Sequence, residues 1–251
     1  MIRALGRVSL VVLVLAGLAG VAWGQSYTVQ LATSPSGVQY LTDGNGMTLY
    51  YFTKDADGQS ACSGKCSQLW PTFYAPSVTV PSSLSASDFS AITRADGSMQ
   101  TTYMGWPLYY WSKDKNPGDM TGEGVAGIWY IVTSPMYSVM LSTKADLGNY
   151  LVDSQGKTLY YFKKDSPGMS ACEGNCIKLW PAFYAPSVTA PSALNASDFG
   201  TITRPDGSMQ TTYKGYPLYY WVKDAKRGDT TGQGVAKIWF VVDPKSFPPS
   251  M

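Results

Sequence analysis

The chain has 251 residues, 45% of them hydrophobic and 14% charged, with a formal charge of +2 and no histidine. It is long enough for one large domain or two ordinary ones, too apolar for wholesale disorder and too nearly neutral for electrostatic nucleic-acid binding. Zero histidines removes the commonest general base, the Ser–His and Cys–His nucleophile pairs and the commonest ligand of zinc, copper and haem iron, which argues against an enzyme and against a metal centre.

The first element is a leader. Arg3 and Arg7 precede an apolar run from Val8 to Ala22, which ends in Ala22-Trp23-Gly24 before Gln25. This pattern predicts a secretory signal peptide over 1–24, cut after Gly24. The run is about 15 residues, short of the roughly 20 a membrane span needs, so no transmembrane segment is expected after cleavage; an uncleaved anchor is the alternative. No cysteine follows the cleavage site to accept a lipid. Both arginines belong to the leader, so the mature chain balances 17 basic against 17 acidic side chains.

Downstream, the patterning is β-rich. Leu49 to Thr53 reads as an aromatic strand, led in by the glycine turn Asp43-Gly44-Asn45-Gly46. Ser60 is placed to cap a short helix over Ala61 to Leu69, which Pro71 ends. Ala91 to Arg94, Ser98 to Tyr103 and Trp106 to Trp111 read as a meander with turns at Asp96-Gly97 and Met104-Gly105, its last strand containing a Leu108 to Ser112 segment like Leu49 to Thr53. Val125 to Val132 is the last expected strand.

The same order then recurs. Sliding the sequence by 110 positions lays Tyr40 on Tyr150, Cys62 on Cys172, Trp70 on Trp180 and Trp129 on Trp239, without insertion. The expected organisation is a unit over 26–135, a second over 136–245 and a tail over 246–251. Units of this size are domains, not solenoid repeats. An older repeat lies inside each unit, at an offset of 59: Tyr50, Phe52, Asp55 and Trp70 correspond to Tyr109, Trp111, Asp114 and Trp129. Unit two repeats this as Tyr160, Phe162, Asp165, Trp180 and Tyr219, Trp221, Asp224, Trp239. The fold class expected is all-β with a minor helix: two tandem small antiparallel domains, each with an internal pseudo-repeat of β-hairpins.

Four copies of Tyr-x-aromatic-x-x-Asp at regular spacing, with Cys-x-Gly-x-Cys and Trp-Pro after the first of each pair, resemble the secreted repeat family of predicted lipoproteins with a conserved Tyr-x-(Phe/Trp/Tyr)-x-x-Asp motif. The resemblance covers nearly the whole mature chain and implies no biochemical activity. The missing lipid-acceptor cysteine is a departure from that family's name.

Within Leu49-Tyr50-Tyr51-Phe52, Tyr50 and Phe52 share one face of a strand and Leu49 and Tyr51 the other. One reading packs both faces into a core. The other makes Tyr51, Tyr110, Tyr161 and Tyr220 a stacking platform for sugar rings, and these four are the candidate ligand-binding residues. Asp55, Asp114, Asp165 and Asp224 are expected to cap turns, and the neighbouring Lys54, Lys113, Lys164 and Lys223 to stay solvated. The even cysteine count of an exported protein reads as disulfides; local bridges Cys62–Cys66 and Cys172–Cys176 are favoured over cross-unit bridges or a thiolate metal site. Arg227-Gly228-Asp229 has Pro117-Gly118-Asp119 as its counterpart and is read as a chance tripeptide.

The function expected is that of an exported, non-enzymatic binding, adhesion or structural module, extracellular, periplasmic or at the cell surface. It would have no cofactor, and its partner would be an envelope polymer, a glycan or a surface protein. The alternative is an accessory to extracytoplasmic redox chemistry.

Overall fold

The computed structural model describes residues 27–248; the expected leader and the end of the tail lie outside the described residues. Unit one contains β1 (Val29–Thr33), β2 (Gln39–Asp43), β3 (Tyr50–Phe52), α1 (Lys65–Leu69), β4 (Phe89–Thr93), β5 (Met99–Tyr103), β6 (Trp106–Pro107) and β7 (Trp129–Ile131). Unit two repeats them as β8 (Val139–Lys144), β9 (Gly148–Asp153), β10 (Tyr160–Phe162), α2 (Asn175–Leu179), β11 (Phe199–Thr203), β12 (Met209–Tyr213), β13 (Tyr216–Pro217) and β14 (Trp239–Val241). The fold is all-β with minor helix, and the named strands pair antiparallel throughout.

The meander forms as β4-β5-β6, turned by Met104 and Gly105 at φ 48° and 80°, the left-handed pair that a tight hairpin requires. Three expectations are corrected. The third meander strand stops at Pro107, which lacks an amide donor; Leu108 N still donates to Thr101 O, and the segment to Ser112 then turns to Tyr50 and to Leu69, Pro71 and Phe73 for its backbone partners, with bridges of Tyr109 to Tyr50 and to Thr72. Val125–Gly127 is a 3₁₀ turn with Ala126 at φ 53°, so the strand shortens to β7. The helix starts at Lys65, behind Gly64 at φ 58°; Ser60 does not cap it, because its hydroxyl is engaged by Tyr109 and Arg94.

The two halves of a unit are interwoven. The motif strand of the first half, β3, pairs with the tryptophan strand of the second, β7, in the register Tyr50↔Ile131, Tyr51↔Tyr130, Phe52↔Trp129. Reciprocally, Tyr109 of the second half bridges Thr72, just after Trp70 of the first. At the centre Tyr50 and Tyr109 exchange backbone hydrogen bonds of 2.9 and 3.0 Å. Unit two does the same, with 2.8 and 2.9 Å between Tyr160 and Tyr219. A pseudo-twofold arrangement results, in which each half completes the other's sheet.

The units also pack on each other, and one hydrophobic core contains Val29, Leu41 and Trp106 of the first with Met140, Tyr150 and Leu151 of the second. Trp106 Nε1 donates to Ser154 O at 2.9 Å, and Thr53 meets Thr143, hydroxyl to hydroxyl, at 2.7 Å. Arg227 reaches across to donate to Ala56 O at 2.7 Å and Met104 O at 3.0 Å, with its guanidinium over the Trp106 ring. The chance reading of Arg227-Gly228-Asp229 fits this placement, since the arginine is turned into the seam.

The faces that meet differ in sequence from their free counterparts. Thr53 is fully buried, whereas its equivalent Lys163 lies exposed; buried Met140 faces the seam where unit one has Gln30. On unit two the aromatic face that would receive a further unit is covered by Phe247, which packs on Tyr161, Tyr213 and Tyr216. Polar or tail-covered outer faces are what terminal repeats need.

Candidate functional site

The motif residues converge on the pseudo-twofold centre of each unit. Four rings form a continuous stack, Phe52 on Trp129, Trp129 on Trp70 and Trp70 on Trp111, with centroids 4.1, 3.9 and 4.2 Å apart. Unit two stacks Phe162, Trp239, Trp180 and Trp221 at 4.2, 3.8 and 4.1 Å. Each motif aromatic thus lies on the tryptophan of the opposite half, and the two tryptophans meet in the middle. Offset aromatic contacts add about 0.5–1.5 kcal/mol each beyond buried area. Tyr50 and Tyr109 point edge-on at Trp70 and Trp129, at 5.4 and 5.0 Å. Gly122 lacks a side chain because a Cβ there would lie 2.8 Å from the Tyr50 ring and 2.9 Å from Trp70.

The tyrosine–aspartate pairs cross between halves as well. Tyr50 donates its hydroxyl proton to Asp114 Oδ2 at 2.6 Å and Tyr109 donates to Asp55 Oδ2 at 2.5 Å. In unit two Tyr160 donates to Asp224 at 2.6 Å and Tyr219 to Asp165 at 2.8 Å. Each aspartate also accepts a backbone amide six or seven residues on: Ala61 N to Asp55, Thr121 N to Asp114, Ala171 N to Asp165 and Thr231 N to Asp224. These carboxylates therefore organise loops, as capping implies, and in addition clamp one half to the other.

The Asp55 pair extends into a buried polar chain. Ser60 Oγ lies 2.7 Å from the Tyr109 hydroxyl and accepts from Arg94. Arg94 also donates to Gln100 Oε1 at 2.7 Å and to Cys62 O at 2.6 Å. Ser170, Arg204, Gln210 and Cys172 repeat it around Tyr219. Burial lifts the Asp55 carboxyl to about 7, against the pull of the hydrogen bonds from Tyr109 and Ala61 and of the Arg94 charge. Burial likewise lifts Asp165 to about 6. Burial first, then the facing carboxylates, pushes the phenols of Tyr50, Tyr109, Tyr160 and Tyr219 far up, so they act as neutral donors.

Both disulfides are local, Cys62–Cys66 and Cys172–Cys176, with α-carbons 5.3 and 5.2 Å apart. Cys62 precedes the helix instead of lying on it, and is fully buried against the ring stack.

The stacking platform does not survive. Tyr51 is fully buried and Tyr161 nearly so. Tyr110 and Tyr220 are half-buried, and their hydroxyls donate to Asp43 at 3.0 Å and Asp153 at 2.9 Å. The strand is packed on both faces, which leaves these four tyrosines no common open surface. Lys54, Lys113, Lys164 and Lys223 are exposed as expected, yet Lys54 sits 5.8 Å from the Phe52 ring centre and Lys113 5.5 Å from that of Trp111, one at each end of the stack.

A family model described as a secreted repeat of unknown function matches residues 33–73, 90–133, 142–183 and 200–243. The chain belongs to that secreted repeat family. Its four matched segments each hold one motif, so the family repeat is the half and the structural unit is two of them. No curated protein and no solved structure matches. Among the described residues no helix is long and apolar enough to cross a membrane.

Sequence reasoning gave no site role to two groups of residues of this family member, reading Ser60 as a helix cap and Arg227 as part of a chance tripeptide. Arg94, Ser60 and Gln100 are identical to Arg204, Ser170 and Gln210, a signal masked by the general identity of the units. The seam residues Arg227, Val38 and Ala190 become visible only once the units pack.

Proposed function

We propose that this exported repeat protein is a non-enzymatic module that binds a neutral envelope glycan in the seam between its units. The observation that supports this reading is the division of labour between interior and seam. The motif tyrosines, tryptophans and aspartates are mutually engaged and, Asp224 apart, buried, while an open groove of about 520 Å³ runs along the unit boundary, lined by Val38, Thr133, Pro135, Tyr137, Val188 and Ala190 among others, none of them charged. A neighbouring hollow of about 470 Å³ shares Val38, Tyr137 and Ala190 and adds Ser34, Ser192 and Glu123. Apolar walls with scattered hydroxyls suit a sugar chain, whose rings offer C–H faces and hydroxyl edges. Both walls are needed, so the pair of units makes one site.

The test is co-sedimentation of the mature chain with insoluble neutral polysaccharides and peptidoglycan, beside Val38→Asp and Ala190→Arg variants. Retention by the parent chain, lost in both variants at unchanged melting temperature, is expected. No retention across the panel, equal retention by the variants, or binding only to anionic polymers at low salt would each refute it.

A further inference from the structure

We infer that each unit is also wired to accept a one-electron oxidising equivalent, carried along its ring stack and stored as a tyrosyl radical at Tyr109 in unit one and Tyr219 in unit two. The inference rests on the unit interior and is independent of the seam groove. Indole and phenol are the most readily oxidised aromatic side chains, and three indoles lie in unbroken contact from Trp111 through Trp70 to Trp129. Trp111, at 8%, is the most exposed of the three, which makes it the point of entry. The Lys113 and Lys54 ammonium groups stand over the two ends of the stack. Their charge disfavours a positive hole at the ends and pushes it to the central pair, where Tyr109 meets Trp129 edge-on at 5.0 Å.

The step balances as one electron and one proton. A one-electron oxidant of indole-oxidising strength, such as a carbonate or peroxyl radical, takes an electron from the stack and is reduced. Tyr109 then gives an electron to the Trp129 radical cation, its O–H bond breaks, and the proton passes along the existing hydrogen bond to Asp55 Oδ2. The products are a neutral indole, a tyrosyl radical and a protonated aspartic acid. Ser60 can donate its hydroxyl proton to the phenoxyl oxygen.

Tyr109 is preferred to Tyr50 on the chemistry of the acceptors. Asp114 already accepts two hydrogen bonds from Thr121 at 3.0 and 2.6 Å, which spend its basicity. Asp55 accepts one amide besides the phenol. Its burial makes it a stronger base than an ordinary carboxylate, in support of the same choice.

The experiment oxidises the full mature chain with photogenerated tris-bipyridine ruthenium(III) and traps radicals for electron paramagnetic resonance. It is done in a Tyr74→Phe/Tyr184→Phe background, because those two tyrosines are exposed and open to direct attack. A tyrosyl signal is expected in the background protein. It should be lost, with an indole radical in its place, both in Tyr109→Phe/Tyr219→Phe and in the isosteric Asp55→Asn/Asp165→Asn. The aspartate pair keeps the test decisive should the tyrosine variants fold poorly. An unchanged tyrosyl signal in either set, or no protein radical in the background chain, would overturn the inference.

Discussion

Replacing Asp55 by asparagine should change the pH dependence of stability more than stability itself. The carboxyl ionises near 3.8 in a free aspartate and at about 7 in the fold. A carboxyl whose folded pKa is raised stabilises the fold in its protonated form: the contribution is complete below the unfolded value, declines as pH rises through the window, and is gone above the folded value. A difference of roughly three units corresponds to about 4 kcal/mol between the ends of that window. Asparagine keeps an oxygen for the Ala61 amide and an NH₂ towards Tyr109, but carries no charge to bury. It also gives up the attraction of Arg94, which offsets part of the gain, so about 2 kcal/mol in favour of Asp55→Asn at alkaline pH is the working figure, or very roughly 4–8 °C in melting temperature for a chain of this size. The assay is thermal unfolding followed by tryptophan fluorescence from about pH 4 to about pH 8, the range over which this linkage acts. The parent and the variant should melt together at the acid end and diverge as pH rises, the parent falling. Parallel profiles would refute the buried-carboxylate account, and a variant that loses stability most at alkaline pH would show that the ionised form, held by Arg94, is the stabilising one.

Three further outcomes are expected. Trp129→Ala removes a ring stacked on both faces and should cost about 3–5 kcal/mol, as large aromatic truncations do; a denaturant melt showing under about 1 kcal/mol would mean the stack is not close-packed. Tyr50→Phe and Asp114→Asn should couple in a double-mutant cycle by about 0.5–3 kcal/mol, whereas Tyr50→Phe with Asp55→Asn, which share no hydrogen bond, should couple less; equal coupling would contradict the crossed pairing. Opening Cys62–Cys66 as a double serine variant should cost only about 2 kcal/mol, because the loop it closes is a few residues long, and a global loss of folding would assign the bridge a larger role.

The half-repeat, the β-rich pattern and the local disulfides were readable because they are matters of spacing along the chain. Tyr-x-aromatic-x-x-Asp at an offset of 59 announces equivalent positions, and Met104-Gly105 announces a tight turn. What spacing could not reveal is which half supplies the partner. Tyr50 lies five residues from Asp55, yet its hydroxyl reaches Asp114, a choice made by the β3–β7 pairing and not by local geometry. The same blindness applied to Tyr51: a strand apolar on both faces serves an open platform or a double-sided core equally well, and only burial between neighbouring elements separates them. Arg227 was misjudged in importance for a related reason, since a residue that matters at an interface leaves no periodic trace in its own segment.

The exchange of strands between halves also sets an arithmetic for the lineage. A half by itself would present a motif strand with no tryptophan strand to close it, a tyrosine with no carboxylate and a central indole with both faces bare. Gain or loss of a single half would therefore strand an unpaired edge, whereas gain or loss of a whole unit leaves every motif residue with its partner. Functional chains built this way should carry an even number of motifs, the four here among them, and recombination breakpoints should cluster at unit junctions such as the one near Pro135, not at the midpoint between Trp70 and Tyr109.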